Sequence, residues 1–245
     1  MSEQIEGRNP VIEALRSGHE LEKLYILKGG EPNGPLREIL GRARELKIPI
    51  HPVEAQVLDK MAVTRNHQGV IALAAGWKYA TVEKIMERAA ESGEPPFVLF
   101  LDGVADPQNL GSIIRTSEAA GVHGIIIPER RAVGLTAAVC RASAGAVEHM
   151  PVARVTNLNR TMEELKAAGL WFTGADMDGA VVYHRADLRG PMGLVIGGEG
   201  GGLSRLVKEH CDQTVRLPMW GAINSLNAAV AAGILLYEIR RQRLG

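Results

Sequence analysis

The hydrophobic and polar positions of residues 1–76 follow two different periods. Short apolar runs predict strands, and apolar positions repeated every three or four residues predict helices. Asn9 and Pro10 indicate a helix start, as cap and first helical residue, and Gly18 indicates its end. The other predicted elements are a strand at 24–27, a helix at 36–47, an extended segment at 48–53, a short helix at 55–61 and a strand at 70–75. The alternation predicts a small α/β domain over residues 1–76.

The following segment, 77–94, is polar with helical spacing and ends before Pro95 and Pro96. Consecutive prolines cannot continue a helix, so we expect a linker at 77–94 and a second domain at 95–245. Its predicted strands are 97–101, 125–127, 152–155, 171–175, 194–196 and 215–217. Its predicted helices are 109–120, 136–144, 158–168, 203–210 and 225–242, with a loop at 102–108. This alternation predicts a mostly parallel sheet covered by helices on both faces.

The last predicted helix is apolar on nearly every side. Val230, Ile234 and Tyr237 follow helical spacing on one face, and Leu235 and Leu236 add apolar surface away from that face. We expect such a helix to be buried twice, by its own domain and by a partner subunit.

Composition narrows the class of protein. The 245 residues are 46% hydrophobic and 23% charged, which excludes a wholly disordered chain. The 28 basic and 28 acidic residues cancel, so a nucleic acid would be held at local sites rather than by a general positive field. The first residues lack signal-peptide features, and no apolar run approaches the about 20 residues of a membrane span. We therefore expect a cytoplasmic protein with no membrane partner.

Cysteine usage points the same way. Cys140 and Cys211 lie far apart and outside any spacing typical of metal ligands. They are predicted to be buried reduced thiols, not a disulfide or a metal site.

The 28 glycines are the unusual feature of the composition, and the densest group is Gly-Gly-Glu-Gly-Gly-Gly at 197–202. It falls between a predicted buried strand and a helix, where glycine lets the backbone approach a ligand closely. The spacing fits neither a Walker loop nor G-x-G-x-x-G. A ligand site at the end of the strand is favoured over the alternative, a flexible connector.

Two further stretches carry polar residues near helix starts. Asn109 either caps a helix or contributes to a site, and Arg115 either faces the strand ends or is a surface charge. Asn224 or Ser225 can cap the last helix, whereas Asn227 in its first turn is a poor helix former without a functional reason.

Together these three stretches resemble the signature motifs of the SpoU (TrmH-type) RNA ribose 2′-O-methyltransferases. The motifs are Asn-Leu-Gly-Ser-Ile-Ile-Arg at 109–115, Leu-Val-Ile followed by the glycine loop and a leucine at 194–203, and Leu-Pro-Met through Ser-Leu-Asn-Ala-Ala at 217–229. They occur in the family's order, and the resemblance covers 95–245. Residues 5–11 and 66–70 are similar to a small substrate-binding domain often attached to these enzymes.

The resemblance implies a parallel-sheet methyltransferase domain with a deep trefoil knot, S-adenosylmethionine as cofactor, and a homodimer with composite active sites. It implies cofactor contacts, mainly through the backbone, from Gly197, Leu217, Met219 and Leu226. It implies catalytic or site-building roles for Asn109, Arg115, Glu199, Ser225 and Asn227.

In the first domain the resemblance makes Arg8, His67 and Gln68 candidates for RNA contact. The alternatives are an exposed charge for Arg8, a packed surface side chain for His67, and a simple turn at Gln68.

The implied function is methylation of a ribose 2′-hydroxyl in RNA, in a guanosine of 23S ribosomal RNA. Two alternatives stay open: a transfer-RNA ribose methyltransferase, and a catalytically silent RNA-binding or ribosome-assembly protein of the same fold. The complete set of five polar residues favours an enzyme. The additional first domain, without long basic extensions, favours ribosomal RNA.

Overall fold

The computed structural model of the chain describes residues 3–16, 19–29, 34–63, 66–74 and 78–245. These residues form two units, Met1–Lys78 (unit 1) and Tyr79–Gly245 (unit 2). The helix end predicted at Gly18, the strand end predicted at Ala75 and the linker start predicted at Trp77 lie outside the described residues.

In unit 1 the described strands form one mixed sheet. The elements in chain order are β1 (Glu3–Glu6), α1 (Arg8–Arg16), β2 (Leu21–Leu27), α2 (Gly34–Glu45), β3 (Ile50–Val53), α3 (Ala55–Met61) and β4 (Val70–Ala74). The strand order is β1-β4-β2-β3, in which β4 is antiparallel to both neighbours and β2 is parallel to β3. Strand β1 was not predicted because Ile5 is the only apolar residue among its four.

The small core of unit 1 lies between this sheet and two helices. Val11 of α1, Ile39 of α2 and Leu24 of β2 are fully buried there. In α1 and in α2 the apolar residues repeat every three or four positions and form one buried face. This is why the hydrophobic pattern predicted these helices correctly.

Unit 2 contains a seven-stranded sheet in which every pair of neighbouring strands is parallel, as the sequence predicted. Its strands are β5 (Phe97–Asp102), β6 (Gly124–Pro128), β7 (Val152–Val155), β8 (Trp171–Ala175), β9 (Val181–Val182), β10 (Met192–Gly197) and β11 (Gln213–Arg216). The strand order is β7-β6-β5-β10-β8-β11-β9. Strand β9 has only two residues, too few for a hydrophobic pattern to predict.

Helices cover both faces of the sheet. They are α4 (Val82–Ser92), α5 (Pro107–Ala119), α6 (Ala137–Ala142), α7 (Leu158–Ala167), α8 (Arg205–His210) and α9 (Ala228–Leu244). Helices α4, α7 and α8 share one core with the sheet, in which Phe100 and Phe172 meet edge to face with ring centroids 5.1 Å apart. On the other face α9 contacts β10 and α5. Strand β5 is apolar from Phe97 to Leu101 because both faces of that stretch are buried.

The segment expected to be a linker belongs to unit 2 from Tyr79 onward. The Ala80 amide donates to the Val152 carbonyl at 2.8 Å, and Ile85 of α4 is fully buried against the sheet. Thr81 caps α4, and Gly93 ends it in the left-handed conformation. The amphipathic spacing that predicted a helix therefore also gives it an apolar face, which packs against the sheet of unit 2.

Two predicted helix starts are corrected. Helix α5 begins at Pro107 with Asp106 as its cap, so Asn109 is not the cap. Helix α9 begins at Ala228, and its cap is Asn227 rather than Asn224 or Ser225. The side chains of Asn109, Asn224 and Ser225 are therefore not used as helix caps.

Candidate active site

The site lies where the chain order of the strands reverses. The chain passes outward from β5 to β7, crosses to β8, and then inserts β10 between β5 and β8. In open parallel sheets, ligands bind beyond the carboxyl ends of strands at such a reversal. A cavity of about 690 Å³ opens there, within the size range of cofactor sites.

The cavity is lined by the ends of β8, β10 and β11, the glycine loop and the segment that leads into α9. Its lining residues include Asp176, Asp178, Ile196, Gly197, Gly198, Glu199, Lys208, Leu217, Met219, Asn224, Ser225, Leu226 and Asn227. All four residues expected to hold the cofactor are in this set.

The glycine loop, residues 197–202, is folded too tightly for side chains at its base. A Cβ on Gly197 would lie 2.1 Å from the carbonyl carbon of Gly202, and one on Gly198 would lie 2.2 Å from the carbonyl oxygen of Gly103. Because such contacts are sterically forbidden, glycine is required at both positions. The cavity wall here is backbone, as expected for a site that recognises its ligand through main-chain groups.

Asp102, at the end of β5, anchors this loop. Its carbonyl oxygen accepts from the Gly198 amide at 2.8 Å, and its side-chain Oδ2 accepts from the Ser204 amide at 2.7 Å. Asp102 falls in the loop predicted at 102–108, and the sequence pattern gives it no role there. An acidic residue directly after a buried strand was the available signal.

Asn109 and Asn227 form a bridge between α5 and α9. Asn227 Nδ2 donates to Asn109 Oδ1 at 2.9 Å, and Asn227 Oδ1 accepts from the amides of Ala229 and Val230. Asn109 is buried, with 8% exposure. Since Asp106 caps α5, the Asn109 side chain is available for this bridge. The two residues were predicted separately, and the fold brings them into contact.

The other predicted catalytic residues differ in their positions. Glu199 and Ser225 are exposed and line the cavity. Arg115 is exposed on α5, is not part of the lining, and makes no hydrogen bond or ion pair with any residue in the described ranges. Within one chain, therefore, four of the five polar residues gather at the cavity or in contact with its lining, and Arg115 stands apart.

The cavity is acidic on balance. Asp176, Asp178 and Glu199 contribute carboxylates, and Lys208 is the basic residue of the lining, paired with Asp176 at 2.9 Å. Asp176, Asp178 and Lys208 were not identified from sequence. Their only local signal is the pair of aspartates directly after β8.

In unit 1 the three candidate RNA-contacting residues lie together. The Arg8 amide donates to Gln68 Oε1 at 3.2 Å, and Arg8 Nε donates to the Gln68 carbonyl at 3.1 Å. His67 Nδ1 accepts from the Gly69 amide, and His67 Nε2 lies 3.0 Å from Asp59 Oδ1. The two sequence motifs thus form one polar surface cluster. Gln68 is a turn residue with φ of 51°, as its structural alternative proposed.

Cys140 and Cys211 do not form a disulfide, and both are half-buried rather than fully buried. Burial raises the pKa of the Cys211 thiol to about 12, which keeps it protonated and unreactive. Across the described ranges, no group of three or more His, Cys, Asp or Glu side chains is arranged to hold a metal ion. Nor does any helix in the described part have the length and apolarity to cross a membrane.

Comparison with known proteins gives the family. The SpoU rRNA Methylase family matches residues 96–237, and the RNA 2′-O ribose methyltransferase substrate binding family matches residues 4–80. The chain therefore belongs to the SpoU family of RNA methyltransferases, with an N-terminal substrate-binding domain, as its motifs predicted.

Its relatives span nearly the whole chain. A Bacillus subtilis (strain 168) protein provisionally named TrmH family tRNA/rRNA methyltransferase YacO is 49% identical over 237 residues, 97% of this chain and 94% of that protein. The crystal structure of the SpoU methyltransferase AviRb from Streptomyces viridochromogenes, in complex with AdoMet, is 29% identical with a TM-score of 0.66 and covers 99% of this chain and 91% of that chain. The AdoMet-bound rRNA methyltransferase from Sinorhizobium meliloti is 28% identical with a TM-score of 0.64, covering 100% and 88%.

These findings confirm the predicted cofactor, because S-adenosylmethionine (AdoMet) is the cofactor of this family. The chain therefore belongs to the class of RNA methyltransferases that take their methyl group from S-adenosylmethionine.

Proposed function

We propose that the protein methylates the 2′-hydroxyl of a ribose, in a guanosine of 23S ribosomal RNA. The observation that carries the proposal is the convergence at one cavity of Gly197, Leu217, Met219 and Leu226 with the Asn109–Asn227 bridge. The cavity supplies a cofactor site, and the bridge fixes polar groups next to it.

The chemistry of the cavity suits the cofactor. S-adenosylmethionine carries positive charge on its sulfonium and its ammonium groups and one carboxylate. Three carboxylates and one lysine in the lining complement that net positive charge. The backbone wall at Gly197 and the apolar side chains of Leu217 and Leu226 suit an adenosine ring.

When bound, S-adenosylmethionine supplies a methyl group on a sulfonium. This methyl carbon is the electrophile that a ribose oxygen attacks. The protein must hold that oxygen in line and lower the cost of losing its proton. Asn227 and Asn109 brace the start of α9 beside the cavity. Ser225 and Glu199 are exposed there and free to hydrogen-bond a ribose.

Arg115 has a different role. A guanidinium stays protonated at physiological pH, so it is a poor general base. We assign it to the phosphate next to the target ribose, where its charge stabilises the developing alkoxide while the proton leaves to that phosphate or to water.

A homodimer with composite sites accounts for the absence of Arg115 from the lining of its own cavity. Helix α9 exposes Val230, Ile234 and Tyr237 in one apolar stripe. Thr116, next to Arg115, packs against Gly233 in the middle of that helix. Its Cγ2 lies 3.6 Å from the place that a Cβ on Gly233 would occupy. We infer that a second copy packs on the stripe and that Arg115 of one protomer completes the cavity of the other.

Ribosomal RNA is favoured as substrate because the N-terminal domain accompanies the catalytic domain, and a neighbouring structure of similar extent is named an rRNA methyltransferase. Transfer RNA is the second candidate, since the name of the Bacillus relative includes both substrates.

One experiment separates these functions. The protein is incubated with methyl-labelled S-adenosylmethionine and, in parallel, with unmodified 23S rRNA and transfer RNA. We expect label in 23S rRNA, at a nucleotide that nuclease digestion identifies as 2′-O-methylguanosine. Label in transfer RNA alone would select the second candidate, and cofactor binding without any transfer would select the silent protein.

The variant Arg115→Ala tests the role assigned to this residue. We expect methyl transfer to fall by at least about a hundredfold, since loss of one hydrogen-bond donor to a developing oxyanion costs roughly 2.7–4 kcal/mol. Cofactor affinity measured by calorimetry should remain unchanged. Near-normal turnover of this variant would contradict the role assigned to Arg115.

A further inference from the structure

The loop after β6, residues 129–135, carries two adjacent exposed arginines, Arg130 and Arg131. Neither makes a hydrogen bond or ion pair through its guanidinium with any residue that the structure describes. We name this segment the arginine loop. Exposed arginines without partners are ordinary on a surface, so its position and backbone must carry the argument.

The backbone of the arginine loop is fixed at three points. The Glu129 carbonyl accepts from Arg154 Nη2 at 2.9 Å, the Val133 amide donates to the Val104 carbonyl at 3.0 Å, and the Leu135 amide donates to the Tyr79 hydroxyl at 2.8 Å. These contacts hold the main chain while leaving both guanidinium groups in solvent. The two cations are therefore presented from a rigid support, which lowers the entropy lost when they bind a ligand.

Arg131 also has an unfavourable backbone conformation. Its φ is 63°, in the left-handed region that costs every residue with a Cβ conformational energy. Glycine would adopt this conformation without strain. Strain of this kind is concentrated at binding and catalytic positions, where a particular side chain is needed.

The arginine loop borders the wall of the cavity. The Arg131 carbonyl oxygen lies 3.7 Å from the Cβ position of Gly103, and the Gly103 carbonyl oxygen lies 2.2 Å from the Cβ position of Gly198. Gly198 lines the cavity. The segment around Gly103 therefore lies between the backbone of Arg131 and the glycine loop, at the same edge of the sheet.

We propose that the arginine loop binds the phosphate backbone of the RNA strand beside the target ribose. This inference rests on the proposed function. Guanidinium groups bind phosphate through two parallel hydrogen bonds, and Arg154 adds a third positive charge next to the loop against the single carboxylate of Glu129. In a chain of zero net charge, such a local excess is the means by which RNA is held.

The test compares the full-length protein with the double variant Arg130→Ala/Arg131→Ala. The readout is filter retention of labelled, unmodified 23S rRNA over a series of salt concentrations. We expect affinity to fall about tenfold, and the slope of log affinity against log salt to become shallower by about 1.4–1.8, since each phosphate contact contributes roughly 0.7–0.9. Cofactor affinity should not change.

Two further variants serve as controls. Arg189→Ala removes an exposed arginine in the loop that leads into the amino end of β10, the opposite edge of the sheet, and should leave RNA affinity unchanged. Arg131→Gly removes the cation and relieves the strained φ, so it should weaken RNA binding without lowering the thermal midpoint. This combination distinguishes a lost contact from a damaged fold.

The arginine loop has no such role if the double variant retains wild-type affinity and salt slope, or if the wild-type protein retains no RNA. The proposed function fails separately: a wild-type protein that binds RNA through the loop but does not methylate a guanosine 2′-hydroxyl in 23S rRNA would overturn the proposed function and not RNA binding by the loop.

Discussion

Single residues at the carboxyl edge of the sheet each make two different hydrogen-bonded contacts. Asn227 caps α9 through its Oδ1 and reaches Asn109 through its Nδ2. Asp102 uses its carbonyl and its carboxylate to hold the glycine loop. In both cases one residue stabilises the backbone and also shapes the cavity, so a substitution must be chosen to separate the two effects.

Asn227 permits that separation. Asn227→Ser keeps a side chain that can cap α9 but is too short to reach Asn109, whereas Asn227→Ala removes both contacts. We expect the alanine variant to lose about 1 kcal/mol of unfolding free energy and the serine variant to stay near wild type. Both should lose methyl transfer by about tenfold, measured alongside urea unfolding. Normal transfer by the serine variant would show that the bridge is not needed for activity.

At the scale of elements, the glycine loop illustrates how backbone alone can build a ligand site. Its base is closed by backbone contacts at Gly197 and Gly198, while Gly201 has open space around its Cβ position. The dense glycine run in the sequence is therefore not uniform: some positions are dictated by packing, and others are permissive.

That difference predicts opposite results for two similar substitutions. Gly197→Ala places a methyl group against the Gly202 carbonyl, which should displace the loop and weaken cofactor binding by about 5- to 150-fold, given overpacking costs of roughly 1–3 kcal/mol. Gly201→Ala is its matched control and should bind normally. Calorimetric titration with S-adenosylmethionine checks both. Equal affinities would mean that the loop does not form the cofactor site.

At the scale of the whole molecule, α9 connects the site to assembly. One end carries the Asn227 cap at the cavity, the buried face packs on β10 and α5, and the opposite face leaves Val230, Ile234 and Tyr237 partly exposed. A stripe of this kind is typical of an interface between subunits. The homodimer remains a prediction, as does the trefoil knot implied by the family resemblance.

The dimer prediction can be tested with Val230→Glu/Ile234→Glu. Two carboxylates in the stripe would be desolvated in an interface but remain solvated in a monomer. We expect light scattering to give twice the chain mass of 26.4 kDa for wild type and the chain mass for the variant. Leu206→Glu, an exposed leucine on α8, is the control and should remain dimeric. A monomeric wild type would contradict composite sites.

The sequence alone determined the elements and the family. Periodicity predicted the described helices and the longer strands, because burial of one face or of both leaves a readable pattern, and the three motifs predicted the cofactor. Periodicity did not predict β1, which is too polar to carry a pattern, or β9, which is too short. It also misplaced the starts of α5 and α9, where several residues compete as caps.

Only the tertiary structure decided which of these residues meet. The insertion of β10 between β5 and β8 joins strands that are far apart in sequence, and nothing in local periodicity specifies that pairing. It brings Asp102 to the glycine loop and leaves Arg115 apart from the cavity of its own chain. Local patterns record what each segment buries, whereas the site depends on long-range contacts whose partners lie about a hundred residues away.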